Sequence, residues 1–235
     1  MSDSSLDAAL LESLRGYDTP TICNGLEIVA PERRAIGFTT TQMVSCDPSL
    51  PPIIGYARTA TIRAVEPSPL PPQELKEVRL GYYEYVGSEP GPAVPVLQDI
   101  DPVPGFGAFW GEVQTNVHKA LGCPGAVTNG SIRDLDMLAD GFHLIGGEVG
   151  PSHAHVHVVE FGGQVNLYGM SVKHGDLVHA DRHGAVVIPI EVAAELPAAI
   201  SVIEKRESFI LEAARSPGFT VDDLRKAMAA GEDIH

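Results

Sequence analysis

Apolar residues recur at Leu6, Leu10, Leu11 and Leu14, the spacing of one helical face, and Gly16 follows as a stop. Thr19-Pro20 reads as an N-cap with proline at the first helical position, opening a helix through about Val29. Residues 31–56 are rich in Pro, Thr and Gly without clean periodicity, and are expected to be mostly loop. From Tyr56 to Val65, small or apolar residues alternate with Thr and Arg, as in a half-buried strand. The proline-dense connector Pro67 to Pro72 leads into an expected helix at about 73–86. Pro95 lacks a ladder amide, so the run from Ala93 to Ile100 is expected at a sheet edge or starting late. The segment Phe106–Gln114 runs into a helix through Leu121, which Gly122 ends. Ala126-Val127 is a short strand candidate, Asn129-Gly130 a turn, and Arg133-Asp134 stands where another helix is expected to begin.

Beyond Asp136 the period becomes that of strands. Short strands are expected at about 142–146, 154–161, 164–168, 170–173, 176–181 and 184–188, with Asp181-Arg-His-Gly184 as a strong turn signal. The tail is helical from about Glu191 to Arg215, and Pro197 is expected to kink or split it, since a mid-helix proline costs about 3 kcal/mol. A last helix covers about 220–230. No fixed-period repeat or low-complexity tract is present. Helices followed by strands, without regular βαβ alternation, argue for an α/β fold of mixed sheets packed against helices. No flexible linker divides the chain, so residues 1–235 are expected to form one domain with a helical tail from about 190.

Composition then narrows the function. The 235 residues are 44% hydrophobic and 20% charged, which suits a packed core and excludes wholesale disorder. Net charge is −15 without any block of Lys and Arg, so nucleic acid is not an expected direct partner. Cys23, Cys46 and Cys123 are odd in number and lack metal-ligand spacing, which fits reduced thiols in a cytoplasmic protein. The first residues carry acids rather than a basic, then apolar, signal sequence, and no run approaches the roughly 18 apolar residues of a membrane span.

Three clusters carry possible chemistry. Arg133 beside Asp134 suits either a surface ion pair with a helix-capping Asp, or an anion clamp next to a ligand for a hard cation. Glu112 precedes them by one helix and one strand, a path that returns the chain to the same edge. It serves there either as a complement to the helix dipole or as part of a site with Arg133 and Asp134. The free amides of Val113 and Gln114 at that helix start would attract a carboxylate. His153, His155 and His157 alternate as on one strand face, which reads as a polar face, a pocket or a subunit contact. With Glu160, His153-x-His155 also matches one cupin-type metal motif, whose second half is absent. Cys123, next to Pro124, is expected to be a small core residue, and Trp110 with Phe109 and Phe106 to pack the helix onto the sheet.

The stretch FWGEVQTNVHKALGCPGAVTNGSIRDLD, with DTPTICNGL, GYARTATI and VKHGDLVHADRHGAVVIP, resembles the RraA-like family. That family includes metal-dependent 4-hydroxy-4-methyl-2-oxoglutarate/4-carboxy-4-hydroxy-2-oxoadipate aldolases and protein-binding regulators of ribonuclease E. The resemblance implies a swivelling β/β/α-type fold, a homotrimer or homohexamer with sites between subunits, and a small 2-oxo acid substrate. By the same resemblance Asp134 would ligate Mg²⁺ or Mn²⁺, Arg133 would hold the pyruvoyl oxygens, Val113 and Gln114 would bind the carboxylate, and Glu112 would join the catalytic set. Two positions depart from the family pattern: Met137 replaces an acid, and Asn24 replaces a common Asp.

Overall fold

The computed structural model describes residues 6–88, 91–232 and 234. In chain order the helices are α1 (Ala8–Arg15), α2 (Thr19–Val29), α3 (Pro72–Gly87), α4 (Glu112–Ala120), α5 (Leu196–Ala214) and α6 (Val221–Glu232). The first strands are β1 (Val44–Ser45), β2 (Ile53–Arg63), β3 (Ala93–Asp99), β4 (Gly125–Thr128), β5 (Ser131–Ile132), β6 (His143–Gly146) and β7 (Glu148–Val149). They are followed by β8 (His157–Phe161), β9 (Val165–Leu167), β10 (Met170–Val172), β11 (Leu177–Asp181) and β12 (Gly184–Ile188). The fold is the expected mixed α/β arrangement.

The main sheet runs in the order β1-β6-β4-β3-β2-β11-β12, with β8 also on β2. Its centre, β2-β3-β4-β6, is parallel, and β1, β11, β12 and β8 add antiparallel edges. At 11 residues β2 is long enough to serve two partners in succession, β11 at Ile53–Tyr56 and β8 at Ala60–Arg63. Between these partners Gly162 and Gly175 bond the backbone of β2, and the β9–β10 hairpin packs over the face of the sheet.

Both faces of the central strands are covered, and period-2 alternation sorts their side chains. Val94, Val96, Val127 and Ile145 pack under the β9–β10 hairpin, while Leu97, Ala126 and Leu144 pack against Tyr82, Val86 and Trp110. A third cluster joins α1, α2 and α5 through Leu14, Ile22, Leu26 and Ile200. No helix among the described residues is long and apolar enough to cross a membrane.

Local chemistry corrects several expectations. The cap of α2 is Asp18, whose carboxylate accepts the Thr21 amide at 2.9 Å, and Thr19 is already helical. Pro95 lies in the central strand β3, not at an edge. The Tyr56 amide bonds Pro92 O and the Ile100 amide bonds Ile62 O, so the even-numbered residues of β3 serve β2. Pro95 therefore faces β4, whose pairing starts only at Val96, and no ladder bond is lost. Pro197 splits the tail as expected: a 3-10 turn at Ile190–Glu195 precedes α5, which carries the proline in its first turn. The strand expected from residue 154 starts at His157, because Ala154 takes the left-handed conformation at φ 46°.

Candidate active site

Two chain segments are latched side by side at the open end of the parallel strands. Asn129 anchors the second, its Oδ1 accepting the Asp99 amide at 2.7 Å and its Nδ2 donating to Asp99 O at 3.0 Å. Trp110 bridges Ile132 in parallel, and the Arg133 amide donates to Trp110 O at 3.0 Å. The 112 and 133–134 positions thus meet, although 20 residues separate Glu112 from Arg133. Trp110, which carries this junction, is fully buried.

The helix expected after Asp134 is a single 3-10 turn, Leu135–Met137, and Asp134 makes no side-chain cap to it. Its backbone is left-handed, φ 57°, a conformation that Asp and Asn tolerate better than most residues. That twist sends the carboxylate across to α4, where Oδ2 accepts the Glu112 amide at 3.3 Å. Its other oxygen lies 3.4 Å from Arg133 Nη1. Both contacts are long, so the carboxylate keeps lone pairs, and the guanidinium keeps most of its donors. Both side chains are partly accessible, 33% for Arg133 and 26% for Asp134.

The start of α4 supplies the third component. Thr115 is its first amide with a main-chain acceptor, Gly111 O at 3.0 Å, and the amides of Val113 and Gln114 have none among the described residues. With the helix dipole they form an anion cradle. The Gln114 side chain is held by Tyr83, whose hydroxyl donates to Oε1 at 2.9 Å.

These groups border a cavity of about 640 Å³. Gly111, Val113, Gln114 and Arg133 form one wall, the 153–158 segment a second, and the 67–79 connector and first turns of α3 a third. Glu112 and Asp134 stand at its rim rather than among the wall residues. His153 and His155 do face the cavity, but from a loop rather than a strand face, with His153 Nδ1 bonded to Ala154 O. The cupin-type reading fails on this geometry, and no three His, Cys, Asp or Glu side chains among the described residues gather as a ready metal cage. Sequence reasoning missed the third wall. Its only local signal is the spacing Lys76, Arg79, Tyr83, which puts three polar residues on one stripe of α3.

Asp134 fits a hard divalent ion that takes one or two carboxylates and keeps several waters. Its two oxygens are only lightly engaged, and the partly open rim leaves room for waters and substrate oxygens. Asp136 cannot add a second ligand from the same turn face, and Met137 is 56% exposed. Cys123 is buried, and burial pushes its thiol up to about 12, so it is a core residue as expected. Phe109 and Trp110 pack edge to face in the core as expected, whereas Phe106 is exposed.

Gly111 admits the carboxylate. A Cβ there would lie 2.5 Å from Asp134 Oδ2 and 3.2 Å from Arg133 Cγ. Gly111→Ala is expected to fold with less than about 1 kcal/mol lost, because the atom it meets ends a rotatable side chain. It is also expected to turn Asp134 aside, and if Asp134 holds a divalent ion this weakens Mn²⁺ affinity by about 10-fold to 100-fold. Unchanged Mn²⁺ titration would show that Asp134 is not the ligand.

Comparisons with known proteins place the fold. A structure of an uncharacterized protein from Pseudomonas syringae pv. tomato aligns with TM-score 0.69 at 22% identity, over 94% of this chain and 99% of that one. Streptomyces coelicolor RraAS2, described as an unusual member of the RNase ES inhibitor RraA protein family, aligns with TM-score 0.68 at 24% identity, over 88% and 98%. The RNA-processing inhibitor RraA from Thermus thermophilis aligns with TM-score 0.51 at 19% identity, over 70% and 90%. At these identities the likeness is one of fold. No protein of curated function matches the chain significantly. The family model described as RraA-like, Aldolase/RraA, matches residues 19–187, most of the chain and every residue of the rim. The chain therefore belongs to the RraA-like family, which includes both aldolases and non-catalytic regulators of ribonuclease E and whose members generally form oligomers.

Proposed function

We propose that this protein is a divalent-metal-dependent carbon–carbon lyase, a class II-type pyruvate aldolase and oxaloacetate decarboxylase acting on a 4-hydroxy-2-oxo acid or diacid. The observation that supports this reading is the meeting of Arg133, Asp134 and the open amides of α4 on one rim of the cavity. Asp134 would hold Mg²⁺ or Mn²⁺, which when bound supplies a Lewis acid for the enolate charge that develops as the bond beside the 2-oxo group breaks. Arg133 presents paired donors to the 2-oxo acid oxygens, and its charge favours the enolate over the ketone. The Val113 and Gln114 amides take the carboxylate and fix the direction of the chain in the cavity. Glu112 is assigned the proton of the substrate 4-hydroxyl, which must leave as the C3–C4 bond cleaves. Decarboxylation needs no such base, because carbon dioxide departs directly and leaves the same enolate.

The test is pyruvate release from oxaloacetate and from 4-hydroxy-4-methyl-2-oxoglutarate, with metal removed and then Mg²⁺ or Mn²⁺ restored. Metal-stimulated release supports the reading, and Glu112→Gln is expected to slow aldol cleavage more than decarboxylation. Absence of stimulated release from either substrate overturns it. Exposed Val113, Phe106 and Met137 beside the rim form an apolar border that a neighbouring subunit would cover, which favours sites between subunits of a homotrimer or homohexamer.

A second reading, a non-catalytic regulator of ribonuclease E, is favoured by Met137 in place of the family acid and by the likeness to RraAS2. Inhibition of a purified ribonuclease E by the chain, unaffected by Asp134→Asn, would support it over the lyase.

A further inference from the structure

The third wall of the cavity is charged in a way that the lyase chemistry does not use. Lys76 and Arg79 of α3 both face the cavity, while the acids of the same helix, Glu74, Glu77 and Glu84, do not. Neither cation has an ion-pair partner among the described residues, in a chain with 31 acidic side chains and only 16 Lys and Arg. Two unpaired cations on one concave surface of so acidic a protein mark a place where negative charge is wanted.

Their position along α3 gives the spacing. Residues 76, 79 and 83 share one helical face, and Tyr83 touches Gln114 at the carboxylate cradle. Arg79 lies one turn from Tyr83, and Lys76 lies seven residues away, about 10 Å at the helical rise. Leu75, Phe109, Val156 and Val158 line the same cavity with apolar surface. A volume of about 640 Å³ is in the range that holds a drug-sized ligand, more than pyruvate or oxaloacetate fills.

We propose that Lys76 and Arg79 form a second anion subsite, so that the preferred ligand is an elongated 2-oxo acid with an apolar body and a distal carboxylate. This rests on the lyase reading for the head group alone, and it makes Lys76 and Arg79 specificity residues rather than catalytic ones. The rim takes the 2-oxo acid end, the apolar walls bury the carbon chain, and the α3 cations read the far end.

Calorimetric titration of the Mg²⁺-supplemented protein tests this with oxalate, 2-oxooctanoate and 2-oxosuberate, the last two sharing chain length and differing in the distal carboxylate. The wild type is expected to bind 2-oxosuberate about tenfold more tightly than 2-oxooctanoate, the value of one charge-assisted contact. In the Lys76→Met, Arg79→Met double variant that preference is expected to vanish, while oxalate binding stays within about twofold. Both residues are exposed, and methionine keeps the apolar stem, so the variant is expected to fold. Equal wild-type affinity for the two long acids, or an equal loss for oxalate and 2-oxosuberate in the variant, overturns the subsite. Failure of oxalate alone to bind, with the long-chain preference intact, supports the subsite and counts against the head-group reading.

Discussion

Exchanging Asp134 for asparagine is expected to abolish metal-stimulated pyruvate release while leaving the fold as stable as before. Asparagine is the informative replacement because residue 134 sits at φ 57°, which it adopts readily and alanine does not. It also preserves the acceptor for the Glu112 amide, so α4 keeps its start. What is lost is charge, and with it the affinity for a hard cation. Arg133→Lys is expected to fall by about 100-fold to 1,000-fold in turnover, the range for removing one preorganised donor to a developing oxyanion. An ammonium keeps the charge but not the paired planar donors. Under the proposed lyase chemistry both residues would act on the same enolate, so the double variant is expected to be little worse than the poorer single one. Additive losses would mean that the two side chains serve separate steps. Turnover of Asp134→Asn that still responds to Mg²⁺ would move the metal elsewhere.

Most of the sheet was legible because its strands obey period 2 where one face is polar and read as apolar runs where both are covered. The segments at 142–146, 164–168, 170–173, 176–181 and 184–188 follow this rule, and Gly184 at φ 129° closes the turn read from Asp181 onward. Pro95 misled because a proline is judged against both neighbours of a strand. Only the register shows that its imide faces a flank of β4 not yet paired. The histidine row misled for a related reason. Alternation over 153–157 holds in the letters, but a left-handed Ala154 breaks the strand that would put the rings on one face.

At the site, the rim was legible and the cavity was not. The spacing of Glu112, Arg133 and Asp134 survives in the letters because one helix and one strand return the chain to its starting edge, and the bridge from Trp110 to Ile132 is that return. Of the two roles read for Asp134, capping its own following helix is the one the structure does not show. Instead its left-handed backbone aims it at a helix 22 positions earlier, a direction no local propensity specifies. The wall from 67 to 79 depends on how α3 lies over β8, a contact between distant segments that follows from packing rather than from local pattern.

Acidification is expected to destabilise the protein between about pH 6.5 and 4, through two histidines that the fold keeps neutral. Burial lowers His118 and His179 from 6.5 to about 4. In that interval the unfolded chain binds protons that the folded chain refuses, so stability is intact above pH 6.5 and declines as pH falls. The loss is roughly 2 kcal/mol per histidine by pH 5 and roughly 3 kcal/mol by pH 4, against a typical total of about 5–15 kcal/mol. At His118 the reason is visible in the bonds. Nδ1 donates to Gln114 O at 2.7 Å, and Nε2 accepts from the Tyr82 hydroxyl at 2.9 Å. A proton on Nε2 would force the buried Tyr82 hydroxyl to turn its hydrogen away, with Trp110, Phe109 and Tyr83 packed around the ring. Those rings offer some attraction to a cation, but burial dominates. Asp99, whose carboxyl burial raises, works the other way by holding its proton better when folded, though from a lower starting value of 3.8. Because His118 ties α4 to α3, the same protonation dismantles two walls of the cavity, and activity is expected to fall with stability. Urea unfolding at pH 7.5, 6, 5 and 4.5 measures this. In His118→Gln the decline is expected to flatten by about half, and a stability that stayed level from pH 7.5 to 5 would refute the argument.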